Sequence, residues 1–275
     1  MPRIRGAAQV SALPADSGDA ARAGQSRPVI IGHRGSPATD PENSLQGFRT
    51  AIDAGVQAVE FDVRLTRDDV LVCSHDPALG RLGGARVPIA QLTLEQVQGQ
   101  TLKGGATVPT LQDVLGVCYG RIDVVVEVKN KPTQPDFRAD RRSALVLADF
   151  LQGRRRQGIT DRVRAVSSFD GDSVSLFAQA APEYADRTAL LGIPTEPPED
   201  ILEEAERRGL GHIHLHYLTL LRKQSIVARA AERGVQVTAW TVNSRPLARR
   251  FLGLGVVGIV TDDPRRLLDL VPLAV

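Results

Sequence analysis

Residues 59–76 read VEFDVRLTRDDVLVCSHD. Val59, Phe61, Val63 and Leu65 share one parity, and Glu60, Asp62, Arg64 and Thr66 share the other. The apolar set has the two-residue period and β-branched content of a strand. Glu60 and Asp62 therefore leave the strand on the same side. A second apolar run follows from Val70 to Cys73 and closes on Ser74, His75 and Asp76. Packing alone gives a strand this apolar no reason to carry two acids on one face.

The surrounding chain repeats one pattern. From Pro28 onward, short apolar runs alternate with amphipathic segments. Strands are expected at 29–33, 58–63, 122–128, 163–168, 187–193, 212–218, 235–242 and 258–262. Helical patterns fall at 44–55, 143–158, 174–181, 199–209, 225–234, 247–255 and 264–271, with Gly55 placed as a C′ glycine. Eight strand–helix repeats after the first 27 residues predict a (β/α)8 TIM barrel, a single domain over residues 28–275. A doubly wound open sheet is the competing architecture, but no glycine-rich dinucleotide fingerprint follows the first strand. Residues 1–27, rich in Ala, Gly, Ser and Pro, are expected to be a disordered tail.

Composition narrows the function. The 275 residues are 42% hydrophobic and 24% charged, which are globular proportions. A net charge of +2 from 34 basic and 32 acidic residues argues against nucleic acid or an anionic membrane surface as partner. Cys73 and Cys118 both sit in apolar runs with no metal or redox spacing, so buried free thiols are expected. No apolar run reaches the roughly 20 residues of a transmembrane helix. The N-terminus lacks a continuous apolar region, with Asp16 interrupting it, so a cytoplasmic location is expected.

The polar outliers collect at the C-terminal ends of the expected strands, where such barrels hold their reactive groups. These are His33 and Arg34, then Glu60 and Asp62, His75 and Asp76, Glu127 and Lys129, Trp240 and Asn243, and the pair Asp262–Asp263. A single buried carboxylate is ordinarily an ion-pair partner, here of Arg64 or Lys129. Three converging in one mouth repel unless neutralised, and a hard divalent cation, Mg²⁺ or Ca²⁺, is the simplest neutraliser. His212, His214 and His216 share a strand face and are read as polar barrel filling rather than a second metal site. Asp262 and Asp263, with Pro264 following, are read as capping a last helix, at least in part.

The ordered series HRG (33–35), PENS (41–44), EFDVRLTRDDVLVCSHDP (60–77), TVPTLQDVL (107–115), EVK (127–129), VSSFD (166–170), WTVN (240–243) and GIVTDDP (258–264) resembles the glycerophosphodiester phosphodiesterase family. The resemblance runs from Val29 to about Leu270. It implies a (β/α)8 barrel of the phospholipase C-like phosphodiesterase type. It also implies Glu60, Asp62 and Glu127 as metal ligands and His33 and His75 as the catalytic pair. Arg34 and Lys129 become phosphate contacts, Trp240 a neighbour of the glycerol moiety, and Glu42 and Asn43 supports of the site. Two departures stand out. The usual Asp-Gly turn reads Asp68-Asp69, so Asp69 must take a conformation that glycine takes more readily. The segment 77–109, where the family carries its insertion, is short, which suggests a more open mouth and a broader substrate range.

These residues can run a phosphodiester hydrolysis that yields glycerol 3-phosphate and an alcohol. The substrate is then a small glycerophosphodiester, attacked by water or by its own glycerol hydroxyl through a cyclic phosphate. Either histidine can serve as acid or base. Three other functions compete. One is a lysophospholipase D-like phosphodiesterase. Another is a Schiff-base lyase or aldolase built on Lys129. The third is a phosphodiester-binding protein without catalysis.

Overall fold

A computed structural model describes residues 27–271. All of the expected tail except Arg27 lies outside the described residues. The strands are β1 (Val29–His33), β2 (Ala58–Leu65), β3 (Leu71–Cys73), β4 (Asp123–Val128), β5 (Val163–Ser168), β6 (Thr188–Gly192), β7 (His212–His216), β8 (Gln236–Trp240) and β9 (Gly258–Thr261). Eight of them run parallel in the order β1-β9-β8-β7-β6-β5-β4-β2, and a β1–β2 pairing closes the ring. The result is the expected (β/α)8 barrel, surrounded by helices. The ninth strand, β3, is the second apolar run of the opening stretch. It folds back antiparallel on β2, with Val63 opposite Cys73 and Leu65 opposite Leu71.

The parity of β2 decides which side chains enter the barrel. Val59, Phe61, Val63 and Leu65 point outward into a core that also holds Phe48, Leu111, Leu115 and Leu147 from the helices. Phe61 is fully buried there, edge-on to Phe48 at 5.7 Å. Burial of such a ring is worth about 1.5–3 kcal/mol. The opposite parity faces inward. Val29, Ile31, Ala58, Val125, Ala165 and Val260 fill the lower barrel, with Trp240 packed on them from above. The acids on the inward parity stand above this apolar plug.

Six of the expected helices form with short shifts at their ends, whereas the helices Leu94–Gln98, Leu111–Cys118 and Tyr217–Arg222 were not expected, the last taking over the end of the expected strand 212–218. Ser44 caps the helix Leu45–Ala54 by accepting from Gly47 N, and Gly55 ends it at φ 92°. The expected C-terminal helix at 264–271 is a correction. It forms two single 3₁₀ turns, Pro264–Arg266 and Leu268–Leu270, broken at Leu267 where φ is −120°. Leu267 is fully buried, and Asp263 makes no side-chain cap, so core burial sets the backbone rather than helix propensity. Residues 77–109 build a small core of their own, Leu79, Ile89, Val97, Leu102 and Val108, packed with Val72 of β3. Asp69 stands at φ 59°, the left-handed conformation that its sequence position requires.

Candidate active site

The site begins where β1 ends. Gly32 is needed because a Cβ there would meet Gly35 O at 2.3 Å. Gly35 follows at φ 92° and packs on Gly47, where a Cβ would lie 2.7 Å from a backbone carbon. This tight turn puts Arg34 at φ 50° and aims its backbone N–H at Glu60 Oε2, 3.1 Å away. His33 is the register partner of Glu60 across β1–β2.

Register also pairs Asp62 with Glu127 across β2–β4, so two carboxylates stand side by side on the inward face. Like charges opposite one another destabilise a sheet unless a counter-charge intervenes. Ligand atoms of Glu60, Asp62 and Glu127 lie within 4.8 Å of one another, and all three residues are buried. Lys129 Nζ reaches Asp62 Oδ1 at 2.8 Å and Glu127 Oε1 at 2.7 Å. Arg34 Nε is 3.2 Å from Asp62 Oδ2. Asn43, itself at φ 53°, donates from Nδ2 to Asp62 Oδ2 at 2.9 Å and accepts from Asp62 N at 3.3 Å. Arg64, the other partner considered for these acids, turns away. It pairs with Asp136 and donates to the His75 carbonyl at 2.6 and 3.0 Å.

The electrostatics show a cluster short of positive charge. Burial, with Asp62 and Glu127 adding to it, pushes Glu60 up to about 7 against the pull of His33 and Arg34. Burial likewise raises Glu127 although Lys129 opposes it. Asp62 goes the other way: Lys129 and Arg34 overcome its burial and hold it well below the usual carboxylate range. Glu127 Oε1 is buried, and its near partner is the Lys129 ammonium, 2.7 Å away but outside hydrogen-bond alignment. Three buried carboxylates, two of them pushed up by burial and by one another, suit a hard divalent cation, and Glu60, Asp62 and Glu127 are positioned to coordinate one.

The two histidines meet the same cavity. His33 Nδ1 is 2.6 Å from Asp262 Oδ1, and Asp262 also accepts from Asn243 Nδ2 at 2.6 Å. His75 Nδ1 is 2.8 Å from Asp76 Oδ1. A carboxylate only accepts, so each Nδ1 carries the proton and each Nε2 is left free. Burial lowers the His33 pKa, but the Asp262 bond and Glu60 more than offset it, and the net shift is upward. Burial and Lys129 take His75 downward. A cavity of about 250 Å³ is lined by His33, Arg34, Glu60, His75, Glu127 and Lys129 on its charged side. Its opposite side carries Phe169, Leu191 and Trp240. Trp240 is held by a bond from Nε1 to His214 O at 3.1 Å and by edge contacts to Phe169 and His216.

All ten residues singled out from the sequence thus assemble in one place. Glu42 joins through Arg34, at 3.3 Å. The β7 histidines do not form a metal group. His216 Nδ1 accepts from Leu218 N at 3.2 Å and caps the helix Tyr217–Arg222. Sequence reasoning placed Asp262 among possible helix caps, whereas its side chain holds His33. Arg81, which bridges Glu42 and Asp76, was missed entirely.

Fold and site together define a TIM-barrel hydrolase that acts on phosphodiester bonds. The sequence profile of the Glycerophosphoryl diester phosphodiesterase family matches residues 33–266, and the chain belongs to that family. A glycerophosphodiester phosphodiesterase of Caldanaerobacter subterraneus subsp. tengcongensis is 28% identical over 259 residues, covering 88% of this chain and 97% of that protein. The crystal structure of a glycerophosphodiester phosphodiesterase from Parabacteroides distasonis superposes with a TM-score of 0.72 at 26% identity, covering 88% of this chain and 96% of that one. An Oleispira antarctica phosphodiesterase, solved in complex with its product sn-glycerol-3-phosphate, has the same fold: TM-score 0.74, 24% identity, 89% and 96% covered. Among the described residues no helix is long and apolar enough to cross a membrane.

Proposed function

We propose that the protein hydrolyses glycerophosphodiesters to glycerol 3-phosphate and an alcohol, with a divalent cation, Mg²⁺ or Ca²⁺, held by Glu60, Asp62 and Glu127. One observation carries the reading. Carboxylates from two adjacent strands converge within 4.8 Å beside two imidazoles, each oriented through Nδ1 by its own aspartate. The bound cation would supply charge neutralisation at a phosphoryl oxygen. Arg34 offers a planar fork to the remaining phosphate oxygens, and Lys129 a point charge. His75, kept neutral by burial and Lys129, accepts the proton of the attacking hydroxyl at Nε2. In its protonated form, which Asp262 and Glu60 favour against burial, His33 delivers a proton from Nε2 to the leaving alkoxide as the P–O bond breaks. The attacking hydroxyl is the substrate's own glycerol hydroxyl or water, and a cyclic phosphate seen by ³¹P NMR marks the first route. Trp240 flanks the glycerol moiety, while Asn43 and Glu42 hold Asp62 and Arg34 in place.

The aldolase alternative is disfavoured by Lys129 itself. Burial works against its ammonium, yet Asp62 and Glu127 outweigh burial and hold its pKa above the ordinary lysine value. A Schiff-base lysine needs the opposite shift. The deciding assay follows glycerol 3-phosphate release from several water-soluble glycerophosphodiesters and from lysolipids. It is run with EDTA, and then with Mg²⁺ or Ca²⁺ restored. Release that EDTA abolishes and one cation restores is expected. Full turnover in EDTA, or binding without release, overturns the reading.

A further inference from the structure

We propose that Arg81 is a positioning residue for the reaction, and that the short insertion 77–109 serves to hold it rather than to cover the mouth. The inference rests on the phosphodiesterase reading above. Leu79, fully buried in the insertion's own core, anchors the 3₁₀ helix Leu79–Leu82. That helix ends at Gly83, φ 94°, and presents Arg81 to the barrel rim. The guanidinium then uses two edges. Nε meets Asp76 Oδ2 at 2.5 Å. Nη1 and Nη2 grip Glu42 Oε2 and Oε1 at 3.1 and 2.5 Å. Asp76 offers its other oxygen to His75 Nδ1 at 2.8 Å, and Glu42 lies 3.3 Å from Arg34 Nη1. One side chain thus ties the orienter of His75 to the partner of Arg34.

The arrangement has two consequences. Arg81 pins one Asp76 oxygen, which leaves the other aimed along the imidazole Nδ1–H and fixes the ring's orientation. It also takes up much of the Glu42 charge, so Arg34 keeps surplus positive charge for a phosphate. Arg81 does not line the reaction cavity, which separates it from the groups that touch substrate. Its side chain is 50% exposed, and ion pairs that open to solvent contribute only about 0–1 kcal/mol to stability. Stability is therefore a weak reason for a guanidinium with three aimed donors.

The test uses the full chain with its cation, as wild type, Arg81→Ala and Arg81→Lys. Loss of such a supporting partner typically costs about 10–100-fold in activity, and that fall is expected in kcat of Arg81→Ala. The acid limb of its kcat–pH profile should move upward, because Asp76 then belongs to His75 alone. Free guanidinium at low millimolar concentration should restore part of the rate to Arg81→Ala and none to His75→Ala. Arg81→Lys should recover only part, since an ammonium cannot span both acids. A folded Arg81→Ala with wild-type kcat, KM and pH profile overturns the proposal. ¹⁵N shifts of the His75 ring read the same question without turnover: an unchanged tautomer and titration in Arg81→Ala also overturns it. Wild-type protein that releases no glycerol 3-phosphate sinks the phosphodiesterase reading instead, and the ring shifts still decide the role of Arg81.

Discussion

The barrel has two interiors. At its mouth, His33 is half-buried yet its pKa rises; deeper in, in the shaft, burial drives His214 down to about 3 and His212 to about 4. Burial acts on all three in the same direction, toward the neutral form. The difference is the partner. His33 has Asp262 at 2.6 Å and Glu60 beside it, while His214 faces only His212 and Arg164 as charged neighbours. Each mouth histidine carries an acid of its own, as the proton transfer proposed for it requires. His214 borders the same cavity without an acid partner, and His212 lies outside it; burial holds both toward the neutral form.

The most forceful way to break that contrast is substitution. His33→Ala and His75→Ala should each lower kcat by about 10²–10⁴-fold with the fold retained. His212→Gln should leave kcat within a few-fold. The two mouth variants should also differ from one another. A diester with a p-nitrophenolate leaving group needs no proton donor, so His33→Ala should regain most of its rate on it and His75→Ala should not. Equal losses for His212→Gln and His33→Ala in steady-state kinetics would erase the division between mouth and shaft.

Next in size is Lys129, the ammonium that stands between two acids. Lys129→Met leaves Glu127 without its cation beside Asp62, which keeps Arg34 and Asn43. Breaking a buried pair in this way costs about 3–5 kcal/mol, so the EDTA-treated variant should melt well below wild type. A divalent cation can take over the neutralisation, and saturation at 100 times its Kd returns about 2.7 kcal/mol. Calorimetry with and without Mg²⁺ or Ca²⁺ checks both halves. A variant whose melting ignores the cation would mean that the three carboxylates do not share one.

The shaft makes its own prediction, in acid. The folded pKa values of His212 and His214 lie below the unfolded value near 6.5. The unfolded chain therefore binds more protons, and stability is fully present above about pH 6.5 and falls as pH drops toward 4 and 3. At pH 4.5 the loss attributable to His214 is about 2–3 kcal/mol. His214→Gln should flatten the stability–pH curve by roughly that amount between pH 6.5 and 4.5. Urea unfolding at several pH values measures it. An unchanged slope would show that His214 is not held neutral by burial.

Much of this was readable before the fold was seen. Each of the eight expected strands is a barrel strand, because parallel strands buried on both faces leave continuous apolar runs. The two-residue spacing of Glu60–Asp62 and of Glu127–Lys129 survived folding intact, since parity is a local property. What stayed hidden was tertiary. Asp262 lies 229 residues from His33, and Arg81 lies 39 from Glu42, so no local pattern announces either pair. The break at Leu267 was hidden for a similar reason: 264–271 has helical spacing, but burial of that leucine is a demand of the finished core.

The smallest effect should come from the rim, neither mouth nor shaft. Asp69 occupies the left-handed region at φ 59° and holds Arg142 at 2.9 Å across solvent. Asp69→Gly relieves a strain of roughly 1 kcal/mol or less, as Asp tolerates this region better than most residues. Against that, glycine loosens the unfolded chain by about 0.4–1 kcal/mol. The ion pair lost with it is half exposed on both sides and worth about 0–1 kcal/mol. These terms nearly cancel, so the urea midpoint should shift by the equivalent of about 0.5 kcal/mol or less, with kcat unchanged. A large loss of activity would mean that the β2–β3 turn, through β3 and Ser74, sets the position of His75, and that the rim belongs to the mouth after all.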